Sequence, residues 1–258
     1  MLITGTPAQP LSHRRVSDGK FCGTSTSLIE SEIGVGPQAF IVSQTADWKV
    51  PVHFHQQFQF QVIVGGGGSL GSHRLSHGSV HWTSPQSAYG PITSGKDGLC
   101  YITLRVLSDR GVWYLPESRS AMNSSVPKEH KLGSMPDGSF GVKQNTLLPL
   151  RADGLGAWLL RAEKDESLSF QERPTRSGRF YVVLQGSFSF SGQLLPKLSC
   201  LYWSVPDEQP ILTALNDGSE VVIAQFPDHA MDHSVPIEIV KQAHMLSGGA
   251  IKSPNGNE

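Results

Sequence analysis

The sequence is poor in charge, in cysteine and in long apolar runs, and each shortage removes a class of protein. Charged residues make up 17% of the 258 positions, and 21 Lys and Arg against 22 Asp and Glu leave a formal net charge of −1. No basic surplus is available to hold a phosphate backbone or an acidic membrane. A nucleic-acid or membrane partner is therefore not expected, and a small-molecule ligand is. The three cysteines, Cys22, Cys100 and Cys200, lie too far apart for a disulfide framework or for a zinc knuckle, which needs close pairs, and they are read as reduced thiols. No stretch approaches the ~18 consecutive apolar residues of a membrane helix, and the opening MLITGTPAQPLSHRR lacks the basic-then-apolar order of a secretory leader. A cytoplasmic protein is the expectation.

Helical periodicity is scarce as well. In its place the chain has 27 glycines and 17 prolines, with short apolar or alternating runs separated by turn-forming clusters, the pattern of an all-β sandwich or barrel. Strands are expected at 39–43, 50–55, 60–64, 79–83 and 100–106, and again at 157–162, 180–184, 187–190, 201–204 and 220–226. The two sets resemble each other: QVIVGGGGSLG matches YVVLQGSFSF when Gly66 is laid on Gly186, and HWTSP falls beside YWSVP one residue out of step. An internal repeat of roughly 120 residues implies a duplicated barrel.

The expected organisation follows. Residues 1–34 are an N-terminal extension, 35–107 the first barrel core and 108–152 a linker or crossover rich in Pro, Ser, Gly and Asn. Residues 153–228 are the second barrel core, and 229–258 hold a short helix, with helix-like spacing over 237–246, and a polar tail. The four glycines Gly65 to Gly68 are read as a hairpin turn, because no GK[ST] follows them as a phosphate loop would require.

The chemistry concentrates in VPVHFHQQFQFQVIVGG, Val50 to Gly66. With the two-residue period of a strand, His53, His55, Gln57, Gln59 and Gln61 share one face, and Val52, Phe54, Phe58, Phe60 and Val62 lie on the other. Two histidines at i and i+2 point the same way and bring imidazole nitrogens within reach of one ion. In CYITLRV, Tyr101, Thr103 and Arg105 likewise share a face, and Arg105 is read either as a substrate contact or as a structural partner of an acid. Arg173, Arg176 and Arg179 form a candidate cationic patch in the second half.

His53, His55, Gln59 and Gly66 have the spacing of the first motif of the cupin superfamily, in which the third position is glutamate, and the chain resembles that superfamily. The resemblance implies a double cupin, two jelly-roll-type antiparallel barrels, with one divalent metal ion (Fe, Mn, Ni or Zn) on His53, His55 and Gln59. It also implies that the polar face points into the lumen and the aromatic face packs on the partner sheet or on another subunit. The second motif is degraded in GSVHWTSPQSAYGP, where the family's histidine falls at Tyr89, read as a hydrogen-bonding or proton-moving group. His81 is the third imidazole if the strand register differs by one. Gln57, Gln61 and Arg105 are candidate substrate contacts. In the second half the same positions are Arg173, Thr175 and Arg179, which are not ordinary metal ligands.

Two functions follow from that reading. One is a metal-dependent bicupin enzyme, either a dioxygenase of a phenolic or diketone-like substrate or an isomerase, cyclase or lyase. The other is a metal-free binding or regulatory protein that holds a ligand by hydrogen bonds. If Phe54, Phe58 and Phe60 are exposed they form an apolar surface that must be covered, so a homodimer is expected.

Overall fold

The computed structural model describes residues 1–109, 111–123, 125–135 and 141–232, so the short helix and tail read from the sequence over 237–258 lie outside the described residues. The chain forms two antiparallel β-barrels. In the first, Gln59–Leu70 is central, flanked by Ile92–Arg105 on one side and Val80–Thr83 on the other. Gln38–Gln44, Cys22–Ile29 and Ser12–Ser17 extend the sheet beyond Ile92–Arg105, and His130–Gly133 extends it beyond Val80–Thr83. In the second, the order is Leu2–Gly5, Cys200–Trp203, Arg179–Gln185, Ser219–Gln225, Gly156–Ala162 and Gln144–Leu148. A four-stranded sheet, Ser167–Leu168, Leu212–Ala214, Ser187–Phe190 and Gln193–Pro196, faces it.

The duplication is visible in backbone detail. Gly66 and Gly186 both adopt a left-handed conformation, with φ of 64° and 67°. A side chain is excluded at each: a Cβ would run into the Gly98 carbonyl in the first barrel and into Ser219 in the second. Both barrels also carry a register shift just before that glycine, leaving Val64 and Leu184 unpaired in their ladders.

Segments outside the two expected cores are part of the sheets. Residues 1–34 serve both barrels, since Leu2–Gly5 pairs with Cys200–Trp203 while Ser12–Ser17 and Cys22–Ile29 extend the first sheet. The crossover carries Trp113–Tyr114, paired with His53–Phe54, and His130–Gly133, paired with Val80–Thr83. Its last strand, Gln144–Leu148, joins the second barrel.

The alternation over Gln59–Leu70 sorts polar from apolar as expected. Phe58, Phe60, Val62 and Val64 enter one apolar cluster with Phe180, Val182, Leu184 and Phe226, so the barrels share a core. Phe60 meets Phe226 edge-on with ring centroids 5.1 Å apart. Burying each such ring contributes roughly 1.5–3 kcal/mol. The aromatic face is covered within the chain and not by another subunit: Phe58 and Phe60 lie under the second barrel, and Phe54 is fully buried against Trp113. The surface argument for a homodimer is met within one chain.

Two further expectations are corrected. The four glycines lie inside the strand Gln59–Leu70, paired with Ile92–Arg105 and with His73–Leu75, and do not make a turn. Without side chains they let the neighbouring backbone approach, which a Cβ at Gly68 would block at the Thr93 carbonyl. The expected strand 50–55 is two short pieces, Lys49–Val50 and His53–Phe54, because Pro51 has no N–H for the ladder and the chain turns after His55. Among the described residues no helix is long and apolar enough to cross a membrane.

Candidate site in the first barrel lumen

His53 is fixed by a reciprocal backbone bridge to Tyr89, with His53 N donating to Tyr89 O at 3.1 Å and Tyr89 N to His53 O at 3.0 Å. The ring centroids of these two residues lie 4.5 Å apart, and those of His53 and His55 5.3 Å apart. Val80–Thr83 brings His81 opposite Gln61, and its ring meets the edge of Tyr89 at 4.7 Å. Three imidazoles and a phenol therefore share one lumen.

Each imidazole is oriented in the same way. Nδ1–H of His53 donates to Pro51 O at 2.8 Å, that of His55 to Gly111 O at 2.6 Å, and that of His81 to Gln61 Oε1 at 2.9 Å. These acceptors assign the ring proton to Nδ1 and leave Nε2 bare; at His55, where Arg105 Nη2 also lies 3.1 Å from Nδ1, the shorter contact to the Gly111 carbonyl decides it. Among the described residues none of the three Nε2 atoms has a hydrogen-bond partner; that of His81 is also sealed from solvent, whereas His53 and His55 keep 5% and 7% exposure. Burial lowers all three, helped by Arg105 at His53 and His55 and by His130 at His81: His53 to about 4, His81 to about 3 and His55 well below the usual value. All three are neutral bases at neutral pH.

Gln59 is committed on both sides. Its Nε2–H donates to the Tyr89 hydroxyl at 2.8 Å, while its Oε1 accepts from Arg105 Nε at 3.1 Å and Nη2 at 2.7 Å. Arg105 Nη1 donates to Gln38 Oε1 at 2.9 Å and to the Asp109 carbonyl at 2.6 Å. Burial lowers the Arg105 guanidinium and Asp109 supports it. The Asp109 carboxylate itself accepts from the backbone N–H of Gln56 and of Gly111, each at 3.0 Å. Burial also pushes the Tyr89 phenol well up, so it stays protonated, and with its oxygen already accepting from Gln59 it has a proton to donate.

The residues named from the sequence are only partly brought together. His53, His55, Gln59, Tyr89, Arg105 and His81 meet in the lumen. Gln61 faces the same lumen but its carbonyl is occupied by His81, and Arg105 spends its donors on Gln59, Gln38 and Asp109, with Nη2 also 3.1 Å from His55 Nδ1. Gln57 is buried on the turn, its Oε1 without a partner, and no hydrogen bond joins it to the others among the described residues. The three-arginine patch is divided: Arg179 is fully buried, while Arg173 and Arg176 are exposed and pair with Asp228 and Asp232. Sequence reasoning missed Asp109, Gly111 and Gln38. Asp109 follows Arg105 by four residues, a spacing that is a signal only once the strand is known to end at Arg105.

The donor set does not fit a resident divalent cation. His53 and His55 have the orientation that a metal needs, with Nδ1 anchored to a carbonyl. The remaining ligands are not there: Gln59 turns its oxygen to a guanidinium, Tyr89 is a neutral phenol, and the Tyr89 ring lies between His81 and His53. Among the described residues no three His, Cys, Asp or Glu side chains are placed to hold an ion together. Among the described residues the charges in the lumen are Arg105 and Asp109, which already offset each other, so two further positive charges would lack compensation.

No protein-family model matches the sequence, and no curated protein matches it significantly. Solved structures match the fold. A bacterial pirin from Escherichia coli, YhhW, solved in complex with nickel(II), superposes with a TM-score of 0.55 at 13% identity, covering 88% of this chain and 99% of its own. Quercetin 2,3-dioxygenase from Acinetobacter baumannii gives a TM-score of 0.54 at 13% identity over 94% of each chain. The coconut allergen cocosin gives 0.56 at 12% identity, covering 95% of this chain and 93% of its own. Identities this low establish a shared fold and leave the chemistry to the residues of the site.

Proposed function

Because the chain carries the double-barrel fold of the cupin superfamily, we propose that its first barrel binds a small molecule through hydrogen bonds and works without a resident metal ion. The observation that carries this reading is the Arg105–Gln59–Tyr89 chain. The position at which the superfamily carries a carboxylate is a glutamine whose oxygen is held by a buried guanidinium. That arrangement turns the glutamine amide toward Tyr89 and leaves the phenol as a donor.

The lumen then offers bare imidazole nitrogens on His53 and His55 and one phenolic O–H, with Tyr101 and Tyr114 beside Tyr89. Such a surface complements a ligand that carries two adjacent hydroxyl groups on a flat ring: its O–H groups donate to the two Nε2 atoms, and its oxygen accepts from Tyr89. With their basicity lowered by burial, the two histidines act as hydrogen-bond acceptors rather than as proton-abstracting bases. Calorimetric titration with catechol tests the reading. Binding is expected for catechol and not for its dimethyl ether, which has no O–H to donate, and is expected to weaken about tenfold or more in His53→Ala. Equal affinity for catechol and its ether would overturn it.

A second reading, a metal-dependent dioxygenase or isomerase, is favoured by one observation, the Nδ1 anchoring of His53 and His55. It requires Gln59 to leave Arg105. Metal uptake by the purified chain separates the two readings.

A further inference from the structure

The two barrels hold the same pair of residue types in opposite positions. Gln59 and Arg179 each precede their barrel's left-handed glycine, Gly66 and Gly186, by seven residues. In the first barrel the strand opposite Gln59 supplies Arg105. In the second, the residue opposite Arg179 is Gln225. Guanidinium and amide have exchanged strands.

The exchange leaves the second pair open. Arg105 closes on Gln59 and is balanced by Asp109, whereas Arg179, fully buried, makes one hydrogen bond, from Nη2 to Glu172 O at 2.9 Å. Its Nε and Nη1 meet no acceptor at full hydrogen-bond geometry, nor does Gln225 Oε1 meet a donor; the hydroxyl of Tyr181, on the same strand face, is near enough to interact with the guanidinium and has its own proton free. Gln225 instead donates to Gly154 O and Arg173 O. Among the described residues no carboxylate forms an ion pair with Arg179. Its charge is sandwiched between the rings of Phe170 and Trp203, at 4.9 and 5.2 Å, in a lumen otherwise lined by apolar side chains. Glu172 supports the charge only from beyond ion-pair distance, and a buried cation with idle donors and no carboxylate in contact is costly to leave so.

We infer that the second barrel binds one small monovalent anion, a halide or a one-carbon carboxylate such as formate. It is held by Nε and Nη1 of Arg179 and the hydroxyl of Tyr181, between Phe170 and Trp203. Two guanidinium N–H groups match a carboxylate in a single plane, and a phenol supplies the third donor. Burial keeps the Tyr181 phenol protonated, raised to about 12, so it donates. The segment 207–211 closes over this end: Trp203 Nε1 donates to Asp207 O at 3.0 Å, and Gln209 Nε2 donates to Phe170 O.

Crystals of the full chain soaked in sodium bromide test the site directly. An anomalous peak between Arg179 and Tyr181 is expected. Bromide at surface arginines such as Arg173 and Arg176, an adventitious ion only, would overturn the inference, as would Arg179 found bonded to Gln225 or to water alone. In solution, thermal unfolding in chloride-free buffer at fixed ionic strength is expected to shift upward with formate in the wild type and not in Arg179→Met. Tyr181→Phe, which keeps the guanidinium, is expected to need several-fold more formate for the same shift. An equal formate response in wild type and Arg179→Met would overturn the inference. If Arg179→Met does not fold, an undiminished response in Tyr181→Phe would do so.

Discussion

Arg105 grips the carbonyl oxygen of Gln59 with two nitrogens, Nε at 3.1 Å and Nη2 at 2.7 Å, and this clamp decides the character of the lumen. Where the motif that the sequence resembles carries a carboxylate, this lumen holds an amide that is already bound to a cation.

Removing the clamp is expected to be expensive. Arg105→Met leaves the buried carboxylate of Asp109 without its cation and should lower stability by about 3–5 kcal/mol. Gln59→Leu should cost about 1–3 kcal/mol, since the guanidinium keeps its other partners. Urea denaturation of both single variants and the double variant closes the cycle. A coupling of about 1–3 kcal/mol is expected, and additive effects would show that the contact carries no energy.

Stability should fall on mild acidification. The unfolded histidine takes up a proton near pH 6.5, whereas folded His53 does so at about 4 and folded His81 at about 3. Above pH 6.5 both states are neutral and the contribution is fully present. Between 6.5 and the folded values the unfolded state binds more protons, so stability drops as pH falls, on the order of 3 kcal/mol for His53 by pH 4. Unfolding free energies between pH 7 and 5, above most carboxylate titration, should show this slope, reduced in His53→Asn. A flat profile would mean that the imidazoles are not held neutral.

The barrels should unfold together. Phe60 and Phe226 meet across the shared core, so Phe60→Ala is expected to cost about 3–5 kcal/mol and to lower a single transition. Two separate calorimetric transitions, with only the first shifted, would contradict a common core.

Trp113 should matter for the site although it lies in the crossover. It stacks on Phe54 with centroids 5.9 Å apart and pairs with it across the short ladder that carries His53. Trp113→Ala should therefore cost about 3–5 kcal/mol and abolish catechol binding. Retained binding would place the ligand away from His53.

Much of the fold is legible in the sequence, because a two-residue period and a repeated glycine are local signals. Gly66 and Gly186 identify the duplication, and the alternation from Gln59 to Val64 says which side chains share a face. What covers that face is not local: Phe226 is far along the chain, so Phe60 reads equally well as a surface residue. The crossover is illegible for the same reason. Its short strands have no period of their own and are held by partners such as His53–Phe54 and Val80–Thr83. At the site, spacing finds His53, His55, Gln59 and Tyr89, but no spacing shows that Arg105 bonds Gln59 rather than a ligand, because that depends on the register of two strands.

The most direct measurement is the metal content of the chain purified without an affinity tag, after exposure to iron(II), manganese, nickel and zinc in turn, compared with a His53→Ala, His55→Ala double variant. Uptake well below one ion per chain, and equal in the two proteins, is the result expected from the Arg105–Gln59 clamp. One tightly held ion per wild-type chain, lost in the double variant, would contradict it.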